Sequence, residues 1–301
     1  MKTHASLVGA AIVLVAAATV PALAESVDAS RPAAADARIA FSGVTGDIEI
    51  VGHDGGTMEL TGTLGDDVER LRIDGDERSW TVELEMKEDG GGWRRGDSAS
   101  DLVLRVPAGA DVDAEFVSAD LALRDLAGSS VQVETVSGDV MLASVSPREL
   151  RVHTVSGRVD ADGGGSELNR FESVSGSVTV AGSRGRVETE SVSGNVELDA
   201  ADVSDLRVET VSGHIDARVR PAQRARLSVT SHSGNIDLYL PAGSSLRIEA
   251  ETFSGRIDSA FGGEVESGFG PGESLTLDNG SDAVAVEATT FSGSLRLREL
   301  D

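Results

Sequence analysis

One pattern constrains this chain more than any other. A Ser-Gly pair, followed two residues after the glycine by an aliphatic residue, recurs at Ser137-Gly138, Ser156-Gly157, Ser175-Gly176, Ser193-Gly194, Ser212-Gly213, Ser233-Gly234, Ser254-Gly255 and Ser292-Gly293. Successive serines lie 19, 19, 18, 19, 21, 21 and 38 residues apart. A fixed period of this size marks a repeat architecture. The last interval is twice 19, so it holds either a degenerate coil or an inserted loop. The polar stretch at about 261–282, with Gly-Phe-Gly-Pro-Gly, favours the loop. Val117-Ser118-Ala119-Asp120-Leu121 and Val44-Thr45-Gly46-Asp47-Ile48 read as worn copies, which puts the start of the array near residue 36.

Aligned on the serine, the repeats alternate with period two, as strands do. Six residues before it stand Val131, Leu150, Asn169, Val187, Leu206, Leu227, Ile248 and Val286. Four before it stand Val133, Val152, Phe171, Thr189, Val208, Val229, Ala250 and Ala288. Three after it the residue is always aliphatic, from Val140 and Val159 to Ile257 and Leu295. Each repeat therefore supplies two short strands bent at Ser-Gly, with one apolar face apiece. Neither face is buried unless repeats stack. The expected fold is all-β, a β-solenoid of coils of about 19 residues. Residues 25–35 read as a linker, 36–127 as an irregular N-terminal β region and cap, and 128–301 as the regular solenoid. The final strand, Ser294 to Leu300, is expected to blunt the far end. At each corner a hydroxyl two residues before the serine (Thr135, Thr154, Ser173, Ser191, Thr210, Ser231, Thr252, Thr290) points inward. Such a column suits hydrogen bonding up the stack. A serine repeated in every coil, with no base fixed beside one copy, reads as a turn residue and not a nucleophile.

The runs Leu104-Arg105-Val106-Pro107-Ala108-Gly109, Val131 to Val140, Leu238-Tyr239-Leu240-Pro241-Ala242-Gly243 and Thr252-Phe253-Ser254-Gly255 resemble a bacterial β-strand-repeat family of unknown function that goes under the name "putative adhesin". The resemblance spans about residues 36 to 301 and rests on the recurring T-x-S-G-[DN]-[IV] core. It implies an exported cell-envelope protein without established catalysis. The Asp or Asn after the glycine is kept at Asp139, Asn195 and Asn235 and replaced at Arg158, Ser177, His214, Arg256 and Ser294, which argues against a ligand role for that position.

Composition narrows the function. Lys+Arg 26 against Asp+Glu 51 gives a net charge of -25, the wrong sign for binding nucleic acid or anionic membranes. There are no cysteines, so disulfides, thiolate metal sites and thiol catalysis drop out. Residues 1–24 read as a secretory signal peptide: Lys2 and His4, an apolar run from Leu7 to Val20, and Ala22-Leu23-Ala24 before a cleavage point at Glu25. No cofactor motif, phosphate-binding loop or metal-ligand spacing is present, and the histidines are dispersed.

Function is then sought on outward columns. Immediately before each serine run Val136, Val155, Val174, Val192, Val211, His232, Phe253 and Phe291. This stripe is a docking surface for a protein or glycan partner or for the chain's own N-terminal segment, or else reflects the strand preference for β-branched residues. Acidic columns stand three before the serine (Glu134, Glu172, Glu190, Glu209, Glu251) and four after it (Asp160, Glu197, Asp216, Asp237, Asp258). Arg151, Arg170 and Arg207 are placed to relieve the first, and calcium would relieve either. Two classes follow: a non-enzymatic envelope scaffold, with self-association through open edges allowed, or a carbohydrate-active β-helix lyase or hydrolase using a pair such as Asp216 and Asp237. The single tyrosine and two tryptophans offer the enzyme few sugar platforms.

Overall fold

A computed structural model describes residues 25–87, 99–162, 165–267 and 271–300. The signal-peptide reading, the loop containing Trp93 and the glycines at 268 and 270 lie outside these residues. All described secondary structure is β-strand and turn. In the N-terminal part the strands are β1 (Glu25–Pro32), β2 (Arg38–His53), β3 (Thr57–Leu64), β4 (Val68–Asp76), β5 (Ser79–Met86), β6 (Asp101–Pro107) and β7 (Asp111–Arg124). The middle holds β8 (Ser130–Ser137), β9 (Val140–Ala143), β10 (Glu149–Ser156), β11 (Val159–Asp162), β12 (Leu168–Ser175), β13 (Val178–Ser193), β14 (Val196–Ser212) and β15 (Ile215–Ser233). At the C-terminal end are β16 (Ile236–Pro241), β17 (Leu246–Ser254), β18 (Ile257–Ser259), β19 (Glu264–Ser267), β20 (Glu273–Asp278), β21 (Val284–Ser292) and β22 (Leu295–Leu300).

Successive repeats pair parallel and serine on serine. Ser137, Ser156, Ser175, Ser193, Ser212 and Ser233 stand opposite one another from coil to coil, as do Val140, Val159, Val178, Val196, Ile215 and Ile236. The residues the alternation turns inward are buried, among them Val131, Val133, Val159, Val208, Ile215 and Ile236, all at 0% exposure. Each such aliphatic side chain contributes about 1.5–3 kcal/mol on leaving water. Asn169, the one polar member of its column, is also fully buried, and its Nδ2 donates to the carbonyls of Ser166 at 3.1 Å and Arg184 at 3.0 Å. The worn copies are true levels: Thr45 stands beside Ser118 and Ile48 beside Leu121.

The corner is a backbone contact. A Cβ placed on Gly157 would lie 1.9 Å from the carbonyl oxygen of Gly138, and the same holds for Gly213 against Gly194. Only glycine allows levels to approach this closely. The inward hydroxyls do not hydrogen-bond to one another as expected. Thr252 and Thr290 donate to the carbonyls of Gly293 and Gly234, each at 3.1 Å, whereas Thr154, Ser191, Thr210 and Ser231 have no partner. The column is thus spaced for the corner carbonyls. The Asp or Asn after the glycine ties neighbouring levels together. Asp139, Asn195 and Asn235 accept from the backbone N–H of Arg158, His214 and Ser294 in the adjacent level.

The ends of the stack differ from the sequence reading. The stack does not follow chain order, because β21 lies between β15 and β17, with Ser292 beside both Ser233 and Ser254. β22 lies likewise between β16 and β18, so the final strand is internal and blunts no edge. The expected loop at about 261–282 contains β19 and β20, and β20 runs antiparallel along β17 to close that end. The expected linker at 25–35 carries β1, which pairs antiparallel with β3. At this end β2 is followed by β5 and β6, and these are covered by the antiparallel strands β4 and β3. Trp80 closes this end from within, buried, with its indole N–H donated to the Pro32 carbonyl at 3.1 Å.

Candidate functional site

Strand alternation leaves the residue before each serine outside, and there it stays in water. Val136, Val155, Val174, Val192, Val211, Phe253 and Phe291 are between 37% and 59% exposed, and His232 is exposed with them. Val117 extends the stripe by one level. Because β21 is intercalated, the order along the stripe is Val211, His232, Phe291, Phe253. The three rings stack: His232 and Phe291 have centroids 5.0 Å apart at 7°, and Phe291 and Phe253 4.7 Å apart at 4°. The sequence names each residue of this stripe, but chain order alone puts Phe253 next to His232.

From Val174 to Phe253 the stripe lines a groove of about 870 Å³. Glu172, Glu190, Glu209 and Glu251 line it too, and Gly272, Glu273 and Ser274, at the start of β20, border it at the closed end of the stack. Sequence reasoning misses Glu273, since its segment reads as a loop. Its carboxylate accepts the Ile257 N–H at 2.7 Å.

The arginines relieve the acidic column only in part. Arg170 pairs with Glu172, with Glu188 at 3.3 Å and with Glu190 at 3.7 Å. Arg207 pairs with Glu209 at 2.5 Å and reaches Glu188 at 4.0 Å. Arg151 turns away to Glu149, its own-strand neighbour two residues back, and not to the acidic column. Burial pushes the Glu172 carboxyl up, but hydrogen bonds from Arg170 and His153 and their charges reverse this and hold it below the ordinary value. These pairs are half-exposed and contribute little stability individually.

On the strand segments that follow the corner, Asp216 and Asp237 stand side by side. Arg218 bonds Asp216 at 2.7 Å, while His214 and Arg296 hold Asp237 at 3.1 and 3.2 Å. Arg218 also lies over the Tyr239 ring, 5.0 Å from its centroid. Burial raises the Asp216 pKa, with Arg218 opposing and the Glu197 and Asp237 charges adding to the rise. Neither carboxylate lines the groove. Among the described residues no group of three or more His, Cys, Asp or Glu is arranged to hold a metal ion. His53 is committed locally, one ring nitrogen 2.9 Å from the Thr57 carbonyl and the other accepting from Gly55.

The family profile Toastrack DUF4097 matches residues 37–238 and 170–298, which together span nearly all of the stack. The chain belongs to the Toastrack DUF4097 family. No curated protein matches it. Among solved structures, a "putative lipid binding protein" from Parabacteroides distasonis is similar at 12% identity and a TM-score of 0.50, over 92% of this chain and 97% of that one. A "putative adhesin" from Parabacteroides merdae shares 14% identity over 92% and 97% of the two chains, with a TM-score of 0.40. Another "putative adhesin", from Bacteroides fragilis, shares 10% identity over 91% and 97%, with a TM-score of 0.35. At 12% identity the likeness to the first of these structures concerns the fold alone.

Proposed function

We propose that this member of the family is a β-solenoid scaffold, exported to the periplasm or cell surface, that works by docking a macromolecular partner along its apolar stripe and catalyses no reaction. The observation that carries this reading is the exposed line of Val, His and Phe crossing consecutive levels. Apolar side chains repeated at one outward position, in a chain whose other outward positions are mostly charged, mark an interaction surface. A stack of coils fixes their spacing, which suits an elongated partner better than a small substrate. The enzymatic alternative has less support: Asp216 and Asp237 are tied to Arg218, His214 and Arg296 and lie outside the groove. The names of the similar structures, adhesins and a lipid-binding protein, agree with a binding role in its broadest sense.

The test is a photo-crosslinking amino acid placed at Val192, at Val211 and, as an off-stripe control, at Glu197, in the cell that makes the protein, with fractions separated afterwards. Adducts to one identified macromolecule from Val192 and Val211 but not from Glu197, in an envelope or extracellular fraction, are expected. Equal labelling from all three positions, or a cytoplasmic protein, overturns the reading.

A further inference from the structure

The groove's surroundings narrow what fits it. We propose that its occupant is an amphipathic α-helix of a partner protein, with a lysine- or arginine-bearing flank; this rests on the docking reading above. Charge is the first argument. Glu172, Glu190, Glu209, Glu251 and Glu273 line the groove, and the nearby guanidiniums are Arg170 and Arg207, shared also with Glu188. Glu251 has no ion-pair partner among the described residues. A second copy of this chain, at -25, or an anionic lipid surface would meet like charge. A basic flank meets the opposite.

Ring geometry disfavours a glycan. Stacked within 7° of parallel, the ladder covers both faces of Phe291 and one face each of His232 and Phe253, so most of what it offers the groove is ring edge. Sugars stack on open faces, and aliphatic side chains pack well on edges.

Backbone hydrogen bonding separates a helix from an extended peptide. The groove runs across the strands, from level to level, and the strands' N–H and C=O groups are committed to the neighbouring levels. An extended segment lying along it finds no open ladder for its own backbone groups, whereas a helix satisfies them internally. Dimensions agree. Val174, Val192, Val211, His232, Phe291 and Phe253 stand on consecutive levels about 4.8 Å apart, a run of ~24 Å, which ~16 helical residues in about four and a half turns cover.

The test uses the mature protein and fluorescein-labelled 18-residue helical peptides read by anisotropy: one with a leucine face and lysine flanks, one with glutamate in place of lysine, and a labelled neutral oligosaccharide. The lysine peptide is expected to bind one to one. Binding should fall at least tenfold in the Val211→Ser, Phe253→Ser double variant and several-fold in Glu190→Gln, Glu209→Gln, with circular dichroism confirming that each variant is folded. Equal binding of the glutamate peptide, binding of the oligosaccharide instead, or lysine-peptide binding indifferent to the Val211 and Phe253 changes overturns the proposal. Specific cross-links from Val211 together with any of these results leave the docking reading standing and remove only the helix. Absence of stripe-specific cross-links removes the docking reading itself.

Discussion

Replacing Gly213 with alanine tests the corner that spaces the stack. The new methyl carbon would sit 1.9 Å from the Gly194 oxygen and 2.8 Å from its carbon, where ordinary contact starts at 3.4 Å. The two levels must therefore separate by about 1.5 Å where they touch, on a spacing of about 4.8 Å. That motion pulls on the two bonds joining these levels at the corner, from Gly194 N–H to Ser212 at 3.1 Å and from Val196 N–H to His214 at 2.9 Å. Losing two backbone bonds costs about 2 kcal/mol, and the overpacking strain adds ~1–3 kcal/mol. The expected loss is about 3–5 kcal/mol, or a fall of ~5–9 °C in melting temperature for a chain of this size. Gly243→Ala is the control: its φ is +74°, but nothing lies within 4 Å of the added carbon. Only the left-handed backbone penalty of about 1–2 kcal/mol applies there. Guanidinium denaturation followed by circular dichroism compares the two. If Gly213→Ala loses no more than Gly243→Ala, the close-approach argument is wrong.

Two more outcomes follow from the ends and the core. Ending the chain at Gly280 removes β21, the shared neighbour of β15 and β17, and leaves β17 paired with β20 alone, so amide protection should fall sharply in Leu246–Ser254 and persist in Val196–Ser212; undiminished protection of the former would mean that β21 is not its neighbour in the stack. Asp113 has a buried oxygen without a partner, and its pKa is raised by burial and by the Glu134 charge, against Arg38. The folded state thus holds this proton more tightly than the unfolded one, and stability drops as pH rises through the folded pKa. Asp113→Asn should accordingly be more stable than the parent at pH 7, with the margin closing as pH falls towards the ordinary value of 3.8. Urea midpoints at pH 7 and pH 4 check this, and an equal margin at both would refute it.

Much of the site is readable from spacing. Val136, Val174 and Val211 fall outside and Val133 and Val208 inside because a two-residue period sends neighbours to opposite faces, and the Ser-Gly corner resets the phase so that Val140 also faces in. The Asp or Asn after the glycine is a different case. Variation at that position argues against a ligand role and names no other, whereas its partner is a backbone N–H one level away, invisible to a reading along the chain. The strands β19 and β20 are hidden for a related reason. Their residues are largely polar and their pairing is antiparallel to an edge, so no inward apolar column announces them.

The amino-acid order alone decided the period of a level, which side chains face in, and that glycine must stand at the corner, since these follow from covalent geometry and the burial of aliphatic groups. It did not decide the order of the levels. The coils at Ser254 and Ser292 carry the same Thr-Phe-Ser-Gly corner, and strands pair through backbone groups that are alike in every coil, so either is an equally good neighbour for the coil at Ser233. The fold resolves this by skipping a level between β16 and β17 and returning β21 into the gap. The three-ring ladder and the Glu273 end of the groove exist only because of that choice.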